Sequence, residues 1–188
     1  HFSLQNHHFE LGVPGRHNVY NALAAAALGR ELGVGWDDIR AATGAFGPVA
    51  MRTQMLRKGE NRIIDDSYNA NPESVRAALS LLAEMEAPKG RRIAVLGDML
   101  ELGADSADLH ADIGRFAAEV GIDMLFCTGR FTRQTVAAAL DSGMDPSTVL
   151  HFGTRTELQR SLSGSLGVAD VVLIKGSRGM ELEEIAEA

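Results

Sequence analysis

Residues 62–86 read RIIDDSYNANPESVRAALSLLAEME. A short apolar run ends in two aspartates, crosses a polar loop to Asn-Pro, and enters a segment with Val75, Ala78, Leu79, Leu82 and Met85 at helical spacing. Asn71 is suited to an N-cap and Pro72 to the first helical position. This strand–loop–helix unit then repeats. RRIAVLG is followed by DSADLHADIGRFAAEVG, whose Leu109, Ile113, Phe116 and Val120 fall on one face. IDMLFCTG precedes FTRQTVAAALDSG, TVLHFG precedes the weaker helix TRTELQRSLSGSLG, and DVVLIKG precedes a short final helix near MELEEIAEA. Strands alternating with helices predict βαβ units and an α/β, Rossmann-like, mainly parallel sheet. Near-continuous apolar strands imply that helices cover both faces.

Residues 1–48 lack that rhythm. HFSLQ and HFELGV read as a strand pair, GRHNVYNALAAAALGRELG as an alanine-rich helix and GWDDIRAATGAF as a shorter one. Val19, Leu23, Ala24, Ala27 and Leu28 form an apolar stripe suited to close packing on another layer. We therefore expect two regions, 1–48 and 49–188, with the boundary in the Gly/Pro-containing connection near Gly47–Arg52. The stripe within residues 18–32 leads us to expect self-association of this chain.

The composition narrows the function. A net charge of −7 argues against general nucleic-acid binding, which needs a basic face. The lone Cys127 permits no intrachain disulfide. No apolar run is long enough to span a bilayer, and the polar, histidine-rich start is unlike a signal peptide. A cytoplasmic location follows as the expectation. His1, His7, His8 and His17 match no common zinc spacing, so no metal site is expected there. Neither a G-x-x-x-x-G-K-[ST] loop nor a G-x-G-x-x-G after a strand is present.

The strand ends carry the candidates for chemistry. Asp98 and Glu101, Arg130, Thr154 and Arg155, and Ser177 and Arg178 each follow a strand that ends in glycine or close to one. In a doubly wound sheet these loops gather at the carboxyl edge, where ligands bind. A glycine there can also merely end a strand. The combination of acids, hydroxyls, arginines and a lysine suits a zwitterion or a phosphate. Lys175, at the end of a run expected to be buried, could fix an anion as a point charge or snorkel out of the edge. Asp65 and Asp66 are strand neighbours, so they point to opposite faces and do different work. One could meet ribose hydroxyls, or the pair could serve helix-end electrostatics.

Four stretches, GRHNVYNALAAAA (15–27), DDSYNANPES (65–74), VLGDMLELG (95–103) and KGSR (175–178), resemble the Mur ligase family, and the likeness spans residues 13–180. The last three point to its MurF branch. That resemblance implies a three-domain ATP-dependent enzyme that joins D-alanyl-D-alanine to UDP-N-acetylmuramoyl-tripeptide in peptidoglycan synthesis. This chain would supply the end of the central ATPase domain (1–48) and the whole Rossmann-like last domain (49–188). The family's phosphate loop, magnesium ligands and modified lysine would lie in the parts this chain lacks, so ATP and Mg2+ would be held mainly there. The chain alone is then expected to be inactive.

By the same resemblance Asn18 and Asn21 match family asparagines near the nucleotide. Asn21 is the better adenine partner, since an amide both donates and accepts. Arg52 matches an arginine that approaches ATP, and Asp66 an acid that reaches the ribose. The family's usual glycine before that arginine is Met51 here. No motif assigns the dipeptide contacts. Asp98, Glu101, Lys175, Ser177 and Arg178 are candidates on physical grounds, Arg178 or Lys175 for the carboxylate and an acidic rim residue for the amine. Two other readings stay open: another ligase of the superfamily, such as a folylpolyglutamate or cyanophycin synthetase, and a non-catalytic Rossmann-like binding module. GDM-x-ELG and KGSR argue against the first.

Overall fold

The structure is a computed structural model that describes residues 1–47 and 49–187. Contacts divide the chain into two compact units, His1–Val49 and Ala50–Ala188.

In the first unit, β1 (Phe2–Leu4) and β2 (His7–Phe9) form an antiparallel hairpin. Its two turn residues, Gln5 and Asn6, have φ of 46° and 65°, the pattern of a tight turn that matches strand twist. Two helices follow, α1 (Arg16–Glu31) and α2 (Trp36–Ala45). The core is small: Phe9, Ala26 and Ile39, with Phe2, Leu4 and Trp36 around them. The expected stripe on α1 is only partly covered. Val19 and Leu23 are half-buried, whereas Ala24, Ala27 and Leu28 are exposed, because the helix rests on its Ala26 side.

The second unit is built on β3 (Gln54–Lys58), β4 (Asn61–Asp65), β5 (Arg92–Gly97), β6 (Met124–Thr128), β7 (Val149–Phe152) and β8 (Val171–Lys175). They form one sheet in the order β3-β4-β8-β5-β6-β7, parallel except for β3. The sequence reading missed β3. QMLRK is an edge strand with one side in solvent, so it shows little apolar patterning, and Gly59 at φ 61° makes the turn into β4.

Side chains alternate along each strand. Ile64, Ala94, Leu96, Leu125 and Leu173 join the layer of α3 (Pro72–Glu84), α4 (Ser106–Glu119) and α5 (Thr132–Asp141). Ile63, Val95, Phe126, Val172 and Ile174 face α6 (Arg155–Ser165) and α7 (Glu183–Glu187). The helix starts are encoded locally. Asn71 accepts from the Ser74 N–H and Thr154 from the Glu157 N–H, each within a capping box.

α4 departs from its expected face. Its buried line is Ser106, His110, Ile113, Gly114 and Ala117, while Leu109, Phe116 and Val120 are half-buried. The reason is α5. A Cβ on Gly114 would lie 2.0 Å from the Thr135 carbonyl oxygen, so small residues set the inner face of this closely packed helix pair. At the amino edge Arg91 and Asp170 lock β5 to β8. Asp170 accepts from the Arg91 backbone N–H (2.7 Å), its guanidinium (2.7 Å) and the Gly167 N–H (2.8 Å).

Candidate functional site

The carboxyl edge turns around β8. The loops after β4 and β5 lead to α3 and α4 on one face, whereas β8 between them leads to α7 on the other. Such a reversal of direction opens a crevice at the strand ends.

Register explains the centre of this edge. Asp65 pairs with Ile174, so Asp66 and Lys175 are the next neighbours on parallel strands. The Lys175 side chain is only 3% exposed and its ammonium donates to Asp66 Oδ2 at 2.5 Å and to the Asn69 carbonyl at 2.9 Å. A buried cation requires such a partner. Lys175 is therefore an internal ion pair, neither snorkelling nor presented to an outside anion. Asp66 Oδ1 accepts from the Thr53 N–H (2.9 Å) and hydroxyl (3.3 Å). Asp65 turns away, as expected of a strand neighbour, and accepts from the Ser67 N–H and hydroxyl.

Asp98 is also committed internally. Its two oxygens accept from the backbone N–H groups of Arg130, Phe131 and Thr132 at 2.8–2.9 Å. These are orphan donors at the start of α5, which has no side-chain cap of its own. Gly129 permits this approach, since a Cβ there would lie 2.3 Å from an Asp98 oxygen. An acid expected to face a ligand amine thus caps a helix from the neighbouring strand. Burial, and then the Asp98 charge, push the Cys127 thiol far up from its ordinary value, so it stays protonated.

Ser177 is equally enclosed. Its hydroxyl accepts from the Leu100 N–H (2.8 Å) and donates to the Ala70 carbonyl (3.3 Å), tying the loops after β4, β5 and β8 together. Of the rim candidates, Glu101 and Arg178 face solvent. Glu101 has a left-handed φ of 65°. Arg178 pairs with Glu183 at 2.7 Å and touches Met51 Sδ.

Met51 has φ 59° and Thr53 φ 50°, so the position where the family carries glycine does adopt a glycine-favouring backbone. Between them the Arg52 guanidinium lies 4.2 Å over the Tyr68 ring. Thr53, Tyr68 and Asn69 were not singled out from sequence, although Tyr68 and Asn69 lie within DDSYNANPES and Thr53 follows Arg52. His110 was missed too. Buried in α4, its Nε2 accepts from the Met99 N–H and its Nδ1–H donates to the Ser106 carbonyl, which holds the GDMLELG loop. Its signal was a titratable residue at helical spacing from Ile113, Gly114 and Ala117.

Asn18 and Asn21 belong to the first unit. The Asn18 amide donates to the Pro14 carbonyl at 2.7 Å, and the Asn21 amide to Asn18 Oδ1 at 3.3 Å. In the first unit a surface hollow lies beside Phe2, His8 and Arg40, and in the second unit one lies beside Arg92 and Asp123, at the amino end of β5 and away from the β8 rim. Among the described residues no acidic, histidine and cysteine cluster could hold a metal, and no helix is long and apolar enough to cross a membrane.

Comparison with known proteins matches this architecture. The family described as "Mur ligase, glutamate ligase domain" matches residues 51–178. The chain is 40% identical to the UDP-N-acetylmuramoyl-tripeptide–D-alanyl-D-alanine ligase of Escherichia coli over 95% of its length. It is 32% identical to the Bacillus subtilis enzyme of the same name over its whole length. It spans 38% and 41% of those proteins. The crystal structure of MurF from Acinetobacter baumannii superposes with a TM-score of 0.82 at 33% identity, over 95% of this chain and 38% of that one. The parallel sheet, the loops gathered around β8 and the match across residues 51–178 lead to one conclusion: the chain belongs to the Mur ligase family.

Proposed function

We propose that this chain is the C-terminal part of an ATP-dependent ligase that joins D-alanyl-D-alanine to UDP-N-acetylmuramoyl-tripeptide in cytoplasmic peptidoglycan synthesis. The observation that carries this reading is the 40% identity to such a ligase over nearly the whole chain. Supporting it, three of the four motif stretches meet around β8 in one hydrogen-bonded rim. On this reading residues 1–48 end the central ATP-binding domain and residues 49–188 form the last domain.

The reaction couples two displacements. The terminal carboxylate of the tripeptide takes the γ-phosphoryl group of ATP, giving an acyl phosphate and ADP. The dipeptide amine then attacks the acyl carbon and loses a proton, and phosphate leaves from the tetrahedral intermediate as the amide forms. Arg52 would stabilise charge that develops on the transferred phosphoryl group, the work expected of a positioned guanidinium. Asp66 retains acceptor capacity on Oδ2 beside Lys175 for a ribose hydroxyl. Asn21 would meet the adenine, with Asn18 near the nucleotide. Of the rim residues, Glu101 and Arg178 have the exposure and charge to meet the dipeptide amine and carboxylate. The described residues do not fit Mg2+. The ion would be held elsewhere in the whole ligase.

Kinetics of the full-length ligase test the assignment. Asp66→Ala should raise the KM for ATP, roughly tenfold for one lost charged hydrogen bond. Arg52→Ala should lower kcat as well. Unchanged kinetics for both variants, with the fold intact, would remove Arg52 and Asp66 from the site.

A further inference from the structure

We propose that Lys175 and Thr53 are positioning residues for Arg52. The buried ammonium clamps the Asp66 carboxylate, and that carboxylate holds the turn on which Arg52 stands. The inference rests on the ligase reading of Arg52 and Asp66 given above.

Lys175 has three acceptors for its three protons: Asp66 Oδ2 at 2.5 Å, the Asn69 carbonyl at 2.9 Å and the Asp66 carbonyl at 3.4 Å. No proton is left for an outside anion, so its influence passes through Asp66. The other Asp66 oxygen takes both Thr53 donors. Rotating this carboxylate would break the Thr53 bonds and the ammonium bond together.

The turn needs such a clamp. Left-handed residues flank Arg52 on both sides, Met51 at 59° and Thr53 at 50°. Side chains with a Cβ adopt this region only when their surroundings over-determine it. Four fastenings do so: Asp66 on Thr53, the Tyr68 N–H on the Met51 carbonyl (3.0 Å), the Gln54 side chain on the Met51 N–H (3.3 Å) and Arg178 on Met51 Sδ. Only the first holds the residue after Arg52. With it in place Arg52 lies over the Tyr68 ring. Without it Thr53 can leave its strained conformation, and the guanidinium loses its aim.

The test has two arms. In this chain, Lys175→Met should speed hydrogen exchange of the Thr53 amide at least tenfold. It should also move the Tyr68 ring resonances toward those of Arg52→Ala, with the amides of β5 and β6 unchanged. Should Lys175→Met fail to fold, Thr53→Ala takes the hydroxyl out of the same relay while leaving the Thr53 N–H bond and the ion pair whole, and should move the Tyr68 ring part of the way in the same direction. A folded variant with Thr53 exchange and Tyr68 resonances unmoved overturns the proposal. In the full-length ligase, Lys175→Met should lower kcat and raise the KM for ATP. The Lys175→Met/Arg52→Ala double variant should have a kcat within about twofold of Arg52→Ala alone, as expected when one residue acts through another. Independent, multiplying losses would overturn the relay. If the exchange results hold while Lys175→Met, Arg52→Ala and Asp66→Ala all turn over normally, the clamp stands and the ligase assignment of the rim falls.

Discussion

Asp98 shows how little a residue's type settles by itself. As a carboxylate at a strand end it has the chemistry to meet an amine, yet three backbone N–H groups of the neighbouring loop occupy its oxygens. Sequence shows the acceptor-poor start of α5 only as the absence of a capping side chain after Gly129. Gly114 makes a similar point in reverse. Within a helical pattern it reads as a weak spot, but the structure places it against the backbone of α5. Gly114→Ala should therefore destabilise the second unit by about 1–3 kcal/mol through overpacking, despite better helix propensity. Urea unfolding of the two proteins checks this, and a more stable variant would mean the helices can separate freely.

At the scale of elements, the start of α3 was legible because it is local. Asn71 and Pro72 announce α3, and the observed capping box with Ser74 completes the signal. Asn71→Ala should cost about 1 kcal/mol, lowering the thermal midpoint of unfolding by roughly 2–4 °C for a unit of this size. The pairing of β5 with β8 depends on a residue whose partner lies far away in sequence. Burial alone would raise the Asp170 carboxyl, but the Arg91 side chain, the Gly167 and Arg91 N–H groups and the Arg91 charge outweigh it and hold it below the usual carboxylate range. A lowered folded-state value contributes stability that is fully present above the unfolded value near 4. It is lost as pH falls through the folded value. Acid unfolding should therefore be shallower for Asp170→Asn, which should also cost about 2 kcal/mol at neutral pH for the lost charged hydrogen bonds. Denaturant midpoints between pH 7 and 2.5 measure both effects, and parallel curves for the two proteins would contradict them.

On the scale of the whole molecule, the chain spans about 38% of the length of the Escherichia coli relative. α1 displays Tyr20 and Leu28, with Leu32 as its C-cap, at 62–74% exposure around a core of few residues. Apolar surface left in water costs roughly 25 cal/mol per Å². By itself the chain should bury that face against a second copy. Sedimentation at micromolar concentration should show a dimer or larger species that Leu28→Glu returns to monomer. A monomer throughout would show that the face tolerates water.

Periodicity and composition by themselves determined the α/β class, the strand–helix alternation and the start of α3, because these follow from residues within a few positions of one another. The motifs placed the candidate chemistry at strand ends for the same reason. What only the tertiary structure decided was which of those groups remain available. Lys175 lies 109 residues from Asp66, and Asp98 more than 30 from the N–H groups it accepts. Strand order and register bring these partners together, and the high cost of leaving a buried charge unpaired turns them inward. The edge strand β3 and the inner face of α4 were hidden for a related reason. Each is defined by its neighbour, an adjacent strand or a closely packed helix, and not by its own pattern of apolar residues.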